Sequence, residues 1–231
     1  WYPAVLSDKQ QPGETYISDT RNLAVTAALS GQAVRDATPN SDLGALPLLV
    51  ISHGYPGNRY LMSHLAENLA SKGYVVASID HLESTYRDQN SIWSTLYHRP
   101  LDQQFVIDKT HYFSEVNGHF LNDIVDTNRV GIVGYSMGGY GLLVNVGAGY
   151  TDATAASAED LPAPIATKHA ASRQAGETGA DPRIKAGLAI APCCMNRGMW
   201  DVDGLANIET PLFRMSGSSD ETAGYDTGVR R

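Results

Sequence analysis

Apolar positions along the chain follow two different periods. Leu46 to Ser52 (LPLLVIS), Tyr74 to Ile79 (YVVASI), Arg129 to Gly134 (RVGIVG), Ile184 to Ala191 (IKAGLAIA) and Pro211 to Ser216 (PLFRMS) are short runs rich in Val, Ile and Leu. Each is bounded by turn residues, as a strand covered on both faces would be. Between the first two, Leu61, Leu65 and Leu69 recur every four residues beside Met62, Ala66 and Ala70. That stripe predicts a helix over Tyr60 to Lys72, stopped by Gly73. Met137 to Val146 reads as a helix that starts directly after a strand, and Arg99 to Thr127 as one or two helices under a loop. Trp1-Tyr2-Pro3 reads as the tail of a strand. Thr151 to Pro182 is rich in Ala, Gly, Pro and Asp with no strong period, which predicts a partly helical, cap-like insertion above the sheet. Buried strands separated by helices predict an α/β fold: one domain over residues 1–231, with a mainly parallel central sheet and helices on both faces. Such a sheet normally runs on through a further helix, strand and helix, so the sequence reads as cropped at both ends.

Composition narrows the partners more than the chemistry. The 231 residues are enough to bury a substantial core, and 42% hydrophobic with 18% charged residues is an ordinary globular balance. A net charge of −8 argues against nucleic acid and against anionic membrane surfaces as partners. No apolar run reaches the length of a membrane span. The opening Trp1-Tyr2-Pro3-Ala4 has no signal-peptide pattern, but a cleaved leader leaves no trace, so the compartment stays open, a secreted or periplasmic one included. Cys193 and Cys194 are adjacent, a poor geometry for a disulfide, and no Cys or His stands near them at a metal-ligand spacing. Asp201-Val202-Asp203-Gly204 lacks the further acidic ligands of a calcium loop and reads as a plain turn. No metal or organic cofactor is expected, and nothing bears on oligomeric state.

Gly134-Tyr135-Ser136-Met137-Gly138 carries the chemistry. It matches G-x-S-x-G between a buried strand and a helix, a context in which the serine sits on a strained turn with its hydroxyl projecting from the sheet. Gly134 and Gly138 are expected to leave room where the helix passes the neighbouring strands. His53-Gly54-Tyr55-Pro56-Gly57 follows the first strand and would supply one oxyanion donor. The two donors would be the backbone N–H groups of Tyr55 and Met137. Gly217-Ser218-Ser219-Asp220 follows the last strand, where a carboxylate can orient a triad histidine. Asp220 is the choice, with Glu221 as the alternative. Asp80 precedes the serine in the chain and reads as structural, and His53 reads as a structural hydrogen-bonder.

These residues resemble the α/β-hydrolase superfamily, and two branches of it. The stretch Val50 to Asp80 resembles the group around dienelactone hydrolase and platelet-activating-factor acetylhydrolase. Gly54-Tyr55 with Ser136-Met137-Gly138-Gly139 resembles the cutinase-like polyester hydrolases. Together the likeness spans about residues 46 to 220 and implies a serine hydrolase of carboxylic esters. Three departures qualify it. Dienelactone hydrolase uses a cysteine where this chain has Ser136. The acetylhydrolases place their acid after the strand that follows the elbow, where this chain has Ala191-Pro192. The polyester hydrolases carry a substrate-stacking tryptophan near the position of Cys193, and its absence argues against a polyester substrate.

The base is missing. His53, His64, His81, His98, His111, His119 and His169 all precede Asp220, and a serine hydroxyl without a base stays protonated at neutral pH. Either the histidine lies beyond residue 231, which is the leading expectation, or the domain is a catalytically inactive binding module on a hydrolase scaffold. Within the enzyme class the expected partner is a small-molecule or lipid-like ester, with phospholipid acetylhydrolase and polyester hydrolase as the runners-up. The residues that bind substrate cannot be read from the sequence.

Overall fold

The computed structural model describes residues 1–157, 162–172 and 179–230. Parts of the predicted insertion, 158–161 and 173–178, lie outside the described residues. The chain opens with β1 (Ala4–Val5), β2 (Thr15–Asp19), β3 (Thr26–Ser30) and β4 (Thr38–Pro39), which form two small antiparallel pairs, β1 with β4 and β2 with β3. The sheet predicted from the apolar runs follows: β5 (Leu46–Ser52), α1 (Ser63–Ala70), β6 (Val75–Ser78), α2 (Ile92–Ser114), β7 (Val125–Tyr135) and α3 (Met137–Asn145). Then come α4 (Asp152–Ser157), α5 (Ala163–Lys168), β8 (Ile184–Ile190), α6 (Val202–Leu205) and β9 (Leu212–Met215).

Strands β6, β5, β7, β8 and β9 lie side by side in that order, and every pairing is parallel. Side chains alternate across the sheet as a period of two requires. Leu48, Val50, Val130 and Ile132 face Val106 and Ile107 of α2 and Leu142 of α3. Ile51, Val76 and Val133 face the other way, onto Ala66 and Ala70 of α1. Each fully buried Val, Leu or Ile contributes about 1.5–3 kcal/mol, so these two layers hold the strand ends and the turns that follow them in place.

Three expectations needed correction. Trp1–Pro3 is not itself the strand; β1 begins at Ala4. Trp1 instead exchanges both backbone hydrogen bonds with Val76 along the outer edge of β6, each at 2.7 Å. The first helix is shorter than Tyr60 to Lys72, and its buried residues are Ser63, Ala66 and Ala70 rather than the leucines. Those small side chains let the helix approach the sheet, with Leu65 and Leu69 packing at its margins.

The third is α2, which begins seven residues before Arg99 and ends at Ser114. Ser91 starts it by accepting a hydrogen bond from the Trp93 N–H at 3.2 Å. Its buried face mixes Leu96, Val106 and Ile107 with Thr95, Arg99, Gln103, Thr110 and Ser114, so its period does not show in the apolar residues alone.

Candidate active site

Strand β7 ends at Tyr135 and α3 begins at Met137, leaving Ser136 alone at the turn. Its backbone takes φ 52° and ψ −111°, a left-handed conformation that a side chain makes costly and that only its surroundings can hold. Three backbone hydrogen bonds do so. Ser136 N–H donates to the Ile190 carbonyl at 2.9 Å, and the Ser136 carbonyl accepts from Cys193 at 2.8 Å and Tyr140 at 3.1 Å. Strand β8 and the turn after it therefore clamp the elbow from one side. Neither flanking glycine has room for a side chain. A Cβ on Gly134 would overlap the Gly138 carbonyl, and one on Gly138 would overlap the carbonyl of Ser52 at the end of β5. Gly139 is also confined, since a Cβ there would lie 3.0 Å from Pro192.

The turn after β5 abuts this elbow. A Cβ on Gly54 would stand 3.2 Å from Ser136 Cβ and 3.2 Å from the Tyr135 ring. Met137 is the first residue of α3, so its N–H has no acceptor within the helix. Among the described residues the Tyr55 N–H has no hydrogen-bond acceptor either. The Tyr55 hydroxyl donates to the Asn90 carbonyl. Two amides thus stand free beside a half-buried serine, one at the positive end of a helix.

Asp220 lies in the turn after β9. Its Oδ1 accepts from the N–H groups of Thr222 at 2.9 Å and Ala223 at 2.8 Å, and its Oδ2 from the Ser216 hydroxyl at 3.1 Å. The Ala223 N–H above all holds its carboxyl below the usual carboxylate range. Asp80, read as structural, is paired with Arg59 through its Nε at 2.9 Å and Nη2 at 2.7 Å. Asp201 caps α6 by accepting from the Gly204 N–H at 2.8 Å.

A second constellation was not anticipated. Ser52 Oγ stands 2.8 Å from His81 Nε2, and His81 Nδ1 stands 2.9 Å from Asp102 Oδ2 of α2. This is the hydrogen-bond order of a serine–histidine–aspartate triad, but Ser52 is 0% exposed and no ester can reach it. Burial, and then the Arg99 charge, push the His81 pKa well below its ordinary value. The ring is neutral, donates from Nδ1 to the carboxylate and accepts from the Ser52 hydroxyl. Beside it, Arg99 donates to the His53 carbonyl and the Ser84 hydroxyl, and Gln103 donates to the Gly138 carbonyl at 2.9 Å. Polar residues of α2 thus brace both the elbow and the turn after β5. Their only sequence signal is spacing: Arg99, Asp102 and Gln103 stand three and four apart, on one side of a helix.

The other histidines lie elsewhere. His64 and His98 are exposed on α1 and α2, His111 pairs with the Thr127 hydroxyl at 3.0 Å, His119 Nδ1 accepts from the Leu121 N–H at 3.2 Å, and His169 Nε2 meets the Tyr97 carbonyl at 3.0 Å. Next to the elbow, an apolar cluster joins Met137 and Tyr140 to Tyr55, Trp93, Tyr97, Cys193, Met199 and Trp200. Trp200 stacks on Tyr140 with ring centroids 5.4 Å apart, and Met199 is buried, so both serve local packing. Cys193 and Cys194 are free thiols.

Among curated proteins none matches the chain. The model of one family, described as PET hydrolase-like, matches residues 12–169, a stretch that holds the elbow and the HGYPG turn but ends before Asp220. Of the two branches suggested by the sequence, the match falls on the polyester hydrolases. With more than half its length matched, and with the five-stranded parallel sheet that the fold requires, the chain belongs to the PET hydrolase-like family of α/β-hydrolases.

Proposed function

We propose that the protein hydrolyses carboxylic esters through an acyl-enzyme on Ser136. The observation that carries this reading is the strained Ser136 turn, which sets a hydroxyl beside two unengaged amides. Ser136 Oγ attacks the ester carbonyl while a histidine takes its proton, and the tetrahedral oxyanion is held by the N–H groups of Tyr55 and Met137. The histidine returns the proton to the departing alcohol, and water then releases the acid by the same steps. Asp220 is ionised and held by three donors, which suits the carboxylate that orients the base. We assign the base to a histidine outside residues 1–231, because the order serine, acid, histidine places it after Asp220. Neither His81 nor His53 suits the task, since both rings are buried and already bonded elsewhere.

Family membership favours a second reading within this one, a polyester as substrate. The missing tryptophan near Cys193 is then offset by the aromatic side chains of Tyr55, Trp93 and Tyr97, which gather beside the elbow. One experiment addresses both. Full-length protein is assayed on short-chain nitrophenyl esters and on a polyester film, before and after one equivalent of a fluorophosphonate. Turnover of the nitrophenyl esters that is lost on phosphonylation supports the serine hydrolase, and soluble acids from the film support the polyester. Ester turnover untouched by the reagent contradicts both.

A further inference from the structure

The turn after β5 is wrapped around an imidazole. The His53 ring is buried, and a Cβ on Gly57 would lie 2.6 Å from its Nδ1, so the turn closes over the ring only because position 57 has no side chain. Both ring nitrogens are used. Nδ1 stands 2.6 Å from the Gly54 carbonyl oxygen, which can only accept, so Nδ1 carries the proton. Nε2 accepts from the backbone N–H of His81 at 3.2 Å. The ring is therefore neutral. Burial, then the facing His81 and Arg99, push its pKa down to about 2 against the opposing Gly54 carbonyl and Asp80. Arg99 meanwhile donates to the His53 carbonyl and fixes the preceding peptide.

The only cis peptide among the described residues follows Tyr55, so the Gly54–Tyr55 peptide is trans. In a trans peptide the C=O and the N–H point in opposite directions. Holding the Gly54 carbonyl against the ring therefore turns the Tyr55 N–H away from the ring, and Gly54 itself abuts Ser136. We infer that His53 is a positioning residue: its Nδ1–H fixes the Gly54–Tyr55 peptide so that the Tyr55 N–H faces the oxyanion, with Arg99 bracing the peptide before it. The inference rests on the hydrolase reading at Ser136. It also gives His53-Gly54 a chemical purpose beyond a glycine turn, since the ring acts through a bond to its own neighbour.

Two substitutions separate the Nδ1 donor from the rest of the ring. Asparagine places an amide N–H where Nδ1 stands. Glutamine reaches the place of Nε2 and leaves the Gly54 oxygen without its donor. In full-length protein, with kcat expressed per site titrated by a fluorophosphonate, His53→Gln should lower kcat roughly 10- to 100-fold with KM within about twofold. His53→Asn should stay within about threefold of wild type on both constants. Equal kcat per site in the two variants, with only the number of titratable sites reduced, would assign His53 to folding and overturn the inference. ¹⁵N spectra of the wild-type ring test the same point without substitution. The expected signature is a protonated Nδ1, a bare Nε2 and no titration between about pH 5 and pH 9. An Nε2–H tautomer, or a titration in that window, overturns the inference even where a variant does not fold. Ser136→Ala separates the two failures. Lost turnover in Ser136→Ala with intact kcat in His53→Gln sinks the positioning role alone, whereas retained turnover in Ser136→Ala sinks the hydrolase reading beneath it.

Discussion

Replacing Ser136 by alanine is expected to lower kcat on a nitrophenyl ester by a factor on the order of 10⁶ in the full-length protein. Removing the nucleophile leaves only binding and oxyanion stabilisation, whose residual advantage over water is about 10³–10⁴. The fold should survive. The hydroxyl of Ser136 has no hydrogen-bond partner among the described residues, and the strained backbone is held by main-chain bonds from Ile190, Cys193 and Tyr140 that alanine retains. A melting temperature within a few degrees of wild type should therefore accompany the lost activity, in keeping with about 0.5 kcal/mol or less for a substitution that removes no partner. Activity above about a hundredth of wild type would place the nucleophile elsewhere.

Asp220→Asn should have the next largest effect, a fall in kcat on the order of 10⁴ with KM little changed. The carboxylate accepts from Thr222, Ala223 and Ser216. An asparagine can keep the N–H bonds on its carbonyl oxygen, but its amide nitrogen donates where the carboxylate accepted. A histidine facing it then loses the acceptor that fixes its tautomer and the charge that stabilises the imidazolium. Steady-state kinetics beside a thermal melt separate this from unfolding, because an effect through the histidine lowers kcat in protein that still melts cooperatively. A loss of less than about tenfold would move the acid elsewhere, with the adjacent Glu221 the first alternative.

Most of the sheet could be read from the apolar runs because its inner strands need nearly continuous Val, Ile and Leu, although Leu212–Met215, expected to be covered on both faces, is mostly exposed at the sheet edge. Leu46–Ser52 coincided with its run, and the other four strands fell on theirs within a few residues. Strands β1 to β4 escaped for the opposite reason. They are short, antiparallel and half-exposed, with patterns such as that of Thr26–Ser30 that bury little. Helix α2 was misplaced because its buried face is partly polar. Arg99 and Gln103 sit inside it because the carbonyls of His53 and Gly138 require donors there, a demand set by other segments and invisible along the helix itself.

The tight turn at Ser136 was legible because its glycines answer to local sterics, whereas the polar brace beneath it was not. Ser52, His81 and Asp102 come from three separate elements, and only the fold brings their side chains within hydrogen-bond distance. His81, one of the seven histidines that precede Asp220, proves to be a buried link whose two nitrogens are both occupied. His53 was read as a structural hydrogen-bonder, and the 2.6 Å bond to Gly54 gives that expectation a specific partner. Substrate preference stayed unreadable because the residues around the Ser136 turn, Trp93 and Tyr97 of α2 and Cys193 of a turn among them, come from separate segments and follow no shared period.

The most direct test is a crystal structure of the full-length protein after reaction with a fluorophosphonate, whose tetrahedral phosphorus imitates the acyl-transfer intermediate. The account predicts a phosphorus–Oγ bond at Ser136 and one phosphoryl oxygen about 2.7–3.1 Å from the N–H groups of both Tyr55 and Met137. Phosphonylation at another residue, or an adduct on Ser136 whose oxygen faces neither amide, would contradict it.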